Sequence, residues 1–167
     1  MNAYRFNSFE RANYSEIEKT LSILYKTDKP VVVCVGTDVV VGDSFGPLVG
    51  SLIKNRLEGK AFVYGTLDSP ITAKEVETVY NMIGLLHPNS KVLVVDAAVG
   101  NANDVGTVKI RPEGIKPGLG FNKDLPVLGN VSVIGVVADK NASFTVRLGL
   151  VYALAKDVSE GIIKALM

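Results

Sequence analysis

Short, mostly apolar segments alternate along the chain with longer ones whose apolar residues recur every three or four positions. Residues 31–35 (VVVCV), 61–64, 91–95 (KVLVV) and 131–137 are of the first kind. Continuous β-branched runs of this length mark strands covered on both faces, the usual state of a parallel sheet. The second kind predicts helices. Ile17, Leu21 and Leu24 define one over 15–27, and Leu48, Leu52 and Ile53 one over 45–57. Val76, Val79, Tyr80 and Ile83 define a third over 72–86, and Leu150, Leu154, Val158 and Ile162 a fourth over 144–167.

The punctuation agrees with this reading. Ser15 with Glu18, and Thr72 with Glu75, have the spacing of capping boxes, in which hydroxyl and carboxylate satisfy the backbone donors a helix start leaves free. Pro30 ends the first helix because the residue before a proline is pushed out of helical geometry. Pro47 is tolerable in the first turn of the second, where its missing N–H has no helical partner anyway. His87-Pro88-Asn89 breaks the third. Residues 106–111 alternate apolar and polar, which predicts a half-exposed strand at or near a sheet edge. Residues 1–14 read as an arm, loose or docked on a neighbour. Residues 113–129, rich in glycine and proline, read as a long loop of the kind that is often functional.

Strands alternating with helices imply an α/β sandwich with a mostly parallel sheet. A length of 167 residues suits one domain over 1–167, with its core from residue 15 onward. Sites in such sheets lie beyond the carboxyl ends of the strands, where the strand order reverses. Asp38 and Asp43 follow the first strand, Asp68 follows the second, and Asp96 closes the third, so all four fall on one rim.

Two of these acids suit catalysis. Neighbouring carboxylates cannot both ionise easily, so one keeps a proton near neutral pH. Such a pair can activate water with one member and protonate a leaving amine with the other. Each acid also has a plainer explanation. Asp43 precedes a helix, where aspartate ordinarily caps, although Ser44 would cap as well. Asp96 can bond loop amides at a strand end. Asp38 can shape its loop through a side-chain-to-backbone turn or, less readily, bind a metal; Asp68 can open the turn toward Thr72 or act as a third acid.

Composition narrows the function further. Net charge is +1 without a basic block, which speaks against a nucleic-acid surface. The polar N-terminus lacks the apolar core of a signal peptide, and no apolar run reaches the ~20 residues that span a bilayer. Cys34, the lone cysteine, lies in the first strand and reads as a buried, inert thiol. The expected setting is therefore cytoplasmic, with no membrane contact. No P-loop, CxxC or HExxH pattern occurs, and no cofactor or metal is expected. The single histidine, His87, falls at a helix end away from the rim, where it suits the last carbonyls of the helix better than a Ser–His–Asp triad.

Three stretches carry a family resemblance: VGTDVVVGDSFGPLVG, VVDAAVG and IRPEGIKPGLGFNKDLPVLGNVSVIGVV. They resemble the spore germination protease of endospore-forming bacteria and, in particular, the shorter YyaC-type sporulation proteins. The first two are shared more loosely with hydrogenase maturation proteases. The resemblance implies a three-layer α/β/α sandwich of the phosphorylase/hydrolase-like type. It implies an atypical acid peptidase with Asp43 and Asp96 as its aspartate pair. Asp38 and Asp68 would be supporting or substrate-binding acids, and Lys116, Gly118, Gly120 and Asn122 would meet substrate through their loop. The implied partner is a protein or peptide substrate, for which small acid-soluble spore proteins are candidates, in the forespore or spore core. A non-catalytic sporulation protein that keeps the fold is the alternative, and either is compatible with a homodimer. Hydrogenase maturation proteases hold a metal with acids at two strand ends and a loop histidine. Asp43 matches the first acid, and no loop histidine matches here.

Overall fold

The computed structural model describes residues 4–7, 14–117, 126–142 and 145–167. Its elements are β1 (Tyr4–Asn7), α1 (Tyr14–Leu24), β2 (Val31–Cys34), α2 (Phe45–Lys54), β3 (Phe62–Tyr64) and α3 (Val76–Leu86). They continue with β4 (Val92–Gly100), β5 (Thr107–Arg111), β6 (Val131–Asp139) and α4 (Leu148–Leu166). The strands form one sheet in the order β1-β5-β6-β4-β2-β3. The interior is parallel, from β6 through β4 and β2 to β3, while β5 and β1 add antiparallel.

Both faces of the sheet are covered. One face packs Val32, Cys34, Leu93, Val95 and Val133 against α1, α2 and α4. The other packs Val31, Val33, Val92 and Val94 against α3 and Leu128. The three-layer α/β/α sandwich is thus the observed architecture, and the unbroken valine runs are explained by burial on two sides. Cys34 is fully buried, and burial pushes its thiol up, so it stays protonated. Among the described residues no helix is long and apolar enough to cross a membrane.

Several elements differ from the sequence reading, each for a tertiary reason. Tyr4–Asn7, expected in an arm, pairs with β5 and takes the sheet edge. Arg5 bonds the Asn103 carbonyl at 3.0 Å and pairs with Asp104 at 2.6 Å, fixing β1 there. Consequently β5 is one strand in from the edge, and its Val108 and Ile110 are buried. In α2 the deepest residues are Phe45, Val49 and Ile53, with Leu48 and Leu52 only flanking the core. Tyr80 of α3 is 44% exposed instead of buried. Strand β4 does not end at Asp96 but runs on to Gly100, because β6 offers it a partner over that whole length.

Candidate active site

The site begins where β2 stops. The Val35 amide still bonds the Val95 carbonyl at 2.8 Å, but the next amide, of Gly36, turns to Ile71 on the β3 side at 2.8 Å. Gly36 has φ +139°, and a Cβ there would lie 2.0 Å from the Asp43 carbonyl oxygen. Only glycine permits this approach. The loop returns over Gly36 and is closed by the Thr37 amide donating to the Asp43 carbonyl at 3.1 Å.

Asp43 then lies in a 3-10 turn, Gly42–Ser44, that leads into α2. It is not the cap of that helix. Ser44 holds the N-cap position without a side-chain cap bond and donates its hydroxyl to the Val41 carbonyl at 2.6 Å. The first turn of α2 rests on the end of β2: a Cβ on Gly46 would sit 2.0 Å from the Val35 carbonyl oxygen. Asp43 is held by this strand–loop–helix junction.

Asp96 comes from β4, one residue beyond the last β2 partner, Val95 opposite Cys34. Two positions after Val94, its side chain shares the α3 face of the sheet. Its Oδ1 accepts a hydrogen bond from the Ala97 amide at 2.8 Å. Asp43 and Asp96 line one cavity of about 890 Å³. Its other walls include Gly36 and Thr37, Thr72 and Lys74 before α3, and Ala97–Val99 of β4. Arg111 of β5, Ile134 of β6 and the segment Gly114, Ile115, Lys116 complete it.

The two carboxyls influence each other. Burial raises Asp96 to about 7; the Ala97 amide opposes the rise and the neighbouring Asp43 charge adds to it. Asp43 is also raised by burial, against a hydrogen bond from the Thr37 backbone. Near neutral pH such a pair carries one proton between its members, with Asp96 the better holder. A protonated carboxyl beside an ionised one is suited to general acid–base chemistry on a bond lying in the cavity.

The remaining candidates divide. Lys116 is at the cavity wall. Gly118, Gly120 and Asn122 lie outside the described residues. Asp38 is exposed at the loop tip and does not line the cavity; the side-chain turn there is made by Thr37, whose hydroxyl accepts from the Val39 amide at 3.3 Å. Asp68 is exposed in a turn closed by backbone bonds between Thr66 and Ser69, and it does not line the cavity either. The Thr72–Glu75 contact forms, with the Glu75 carboxylate accepting from the Thr72 amide at 2.9 Å, but it closes the turn before α3, which begins at Val76 with Glu75 at its N-cap position and no side-chain cap bond. Arg111 and Ile134 had no signal in the sequence, because only the strand order brings β5 and β6 beside Asp96. Thr72 and Lys74 had one, since a capping box opening a helix after the second strand faces the same rim.

His87 is engaged elsewhere. Its backbone amide donates to the Ile83 carbonyl at 2.8 Å, while its ring meets the Tyr64 hydroxyl at 2.7 Å and lies 4.4 Å from the Phe62 ring. Among the described residues no group of three or more His, Cys, Asp and Glu could hold a metal ion. Two carboxylates without an imidazole do not fit the acid–acid–histidine set of a nickel-type site.

This α/β architecture has a counterpart among solved structures. The crystal structure of a [NiFe] hydrogenase maturation protease, HycI from Thermococcus kodakarensis KOD1, matches with a TM-score of 0.56 over 88% of this chain and 98% of that one. At 17% identity the likeness concerns the fold. The chain itself belongs to the DUF1256 family, described as a protein of unknown function, whose model matches residues 5–161. It is 39% identical over 137 residues to the uncharacterized protein YyaC of Bacillus subtilis (strain 168), covering 79% of this chain and 67% of that protein. The resemblance to YyaC-type proteins is thereby borne out.

Proposed function

We propose that the protein is a peptidase in which Asp43 and Asp96 form a water-activating aspartate pair. The observation that carries this reading is the shared cavity: a carboxyl from the turn before α2 and a carboxyl from β4 both line it, and burial with the neighbouring charge holds Asp96 protonated up to about pH 7. In the proposed reaction, ionised Asp43 takes a proton from water as its oxygen attacks the peptide carbonyl carbon. Protonated Asp96 donates to the departing amine, and the C–N bond breaks. The proton gained by Asp43 then returns the pair to its starting state. Lys74, Arg111 and Lys116 add positive charge around the cavity, which suits a substrate with acidic or carboxylate groups near the cleaved bond. The protease fold of HycI supports the class of activity, and the resemblance to the germination protease supports a role in sporulation or germination on small acid-soluble spore proteins.

The test is incubation of purified protein with small acid-soluble spore proteins at pH 6–8, beside Asp43→Asn and Asp96→Asn. Each substitution is expected to slow cleavage by about 10²-fold or more, the scale of general acid–base catalysis. Cleavage that survives both changes removes the mechanism.

A further inference from the structure

Strand β4 outlasts β2. Its pairing with β2 ends at Val95, while its pairing with β6 continues to Gly100. The Val95 carbonyl faces β2, where it accepts from Val35. The β4–β6 register shifts between Ala98 and Val99, with the extra residue, Val137, on β6, so alternation along β4 itself continues and the peptide groups of Ala97 and Val99 point the same way, into the space β2 has vacated. Gly100 points oppositely, its carbonyl accepting from Lys140 at 2.8 Å. Of the groups on the vacated side, the Ala97 amide is taken by Asp96 Oδ1. Among the described residues no turn or loop backbone bond reaches the Ala97 carbonyl or the N–H and C=O of Val99, and the pairing of β2 with β4 has already ended at Val95. Four residues of strand, 97–100, present an edge of roughly 13 Å.

An unpaired strand edge is a template for another extended chain. This one starts at the acid pair. Ala97, Ala98 and Val99 line the same cavity as Asp43 and Asp96, and Val99 is 55% exposed. The loop between Thr37 and Asp43, which both line the cavity, holds out Val39 and Val40 at its tip, 86% and 57% exposed. Apolar side chains flanking free backbone donors and acceptors fit a peptide whose main chain pairs with the edge and whose alternate side chains rest on valines.

We infer that the β4 edge at residues 97–100 is the docking strand for an extended, unfolded segment of a protein substrate. The segment adds to the sheet in the line β2 would have followed, and its backbone is led across the acid pair. This deepens the peptidase reading and rests on it for the identity of the bond presented. It names the substrate class as a locally unfolded chain with apolar residues in the docked segment, not a folded surface.

The experiment uses the full chain carrying Asp43→Asn, so that bound substrate persists. Two probes are added separately: a small acid-soluble spore protein and a mixture of unstructured eight-residue peptides. Backbone amide exchange is then followed residue by residue. The Val99 amide is expected to slow at least tenfold with probe bound. Val99→Pro removes that N–H, which on the alternation of the strand points away from β6, the side on which proline is compatible with an edge. It is expected to weaken binding at least tenfold, whereas Val99→Ala, which keeps the N–H, binds at least fivefold more tightly than Val99→Pro. Urea midpoints check that each variant is folded, and the exchange measurement stands without either. Binding that leaves Val99 exchange unchanged overturns the inference, as does failure of both probes to bind. Protection already present without probe also overturns it, pointing to a second copy if it grows with protein concentration and to the chain's own loop if it does not. Cleavage by the unmutated protein without Val99 protection sinks the docking strand and leaves the peptidase. Protection without cleavage sinks the peptidase.

Discussion

The two halves of β4 obey different rules. From Val92 to Val95 the strand is flanked by β2 and β6, and Leu93, Val94 and Val95 have no exposed surface. From Asp96 to Gly100 it is flanked by β6 alone, its side chains are partly or largely exposed, and the sequence changes from LVV to DAAVG. The enclosed half serves stability, and the overhanging half leaves backbone and side chains available to a visitor. Asp96 stands at the boundary. It is buried enough for its proton to be held, yet it borders the cavity. The contrast teaches that the site is made by β2 ending early, with Gly36 turning the chain aside so that Asp43 lines the cavity that the overhang of β4 borders.

That contrast can be broken by substitution. Leu93→Ala, in the enclosed half, should cost about 2–5 kcal/mol of unfolding free energy, since a buried side chain leaves a cavity. Gly46→Ala should cost about 1–3 kcal/mol by forcing α2 off the Val35 carbonyl. Because it also displaces the junction bearing Asp43, cleavage should fall with it. Both stability changes are read from urea unfolding.

The boundary itself is tested by pH. Asp96 is raised from about 4 in the unfolded chain to about 7 in the folded one. The folded protein therefore binds this proton more tightly, and its stability is fullest below about pH 4 and falls as pH rises toward 7. Asp96→Asn removes the penalty for ionisation. Relative to the unmutated protein, it should gain more than about 1.4 kcal/mol between pH 5 and pH 8, measured as paired urea midpoints. An equal slope for both proteins would show that Asp96 ionises freely. The smallest effect is expected in the overhang: Val99→Ala should change stability by about 0.5 kcal/mol or less, because its side chain is largely in solvent already.

Much of the candidate site was legible because it depends on local chain chemistry. The wholly apolar run before Asp43, the glycines around it and the acid after KVLVV placed two carboxyls beyond parallel strands. Less was legible where a residue's role depends on distant neighbours. Asp38 and Asp68 share the strand-end rule with Asp43 and Asp96, yet each sits on an exposed turn, since a strand end fixes which rim a residue joins but not the direction of its side chain. His87 was matched to the helix carbonyls, and its amide does bond Ile83, but its ring found Tyr64 and Phe62 on β3 instead.

By itself the sequence determined the alternation of strands and helices, the parallel interior and the pairing of acids with strand ends. These follow from periodicity, burial and backbone sterics, all of which act over a few residues. Tertiary structure alone decided that Tyr4–Asn7 would close the sheet edge, that β4 would run five residues past β2, and that Arg111 and Ile134 would wall the cavity. Strand order and strand length are set by which partner supplies the missing hydrogen bonds, and that partner lies far away along the chain.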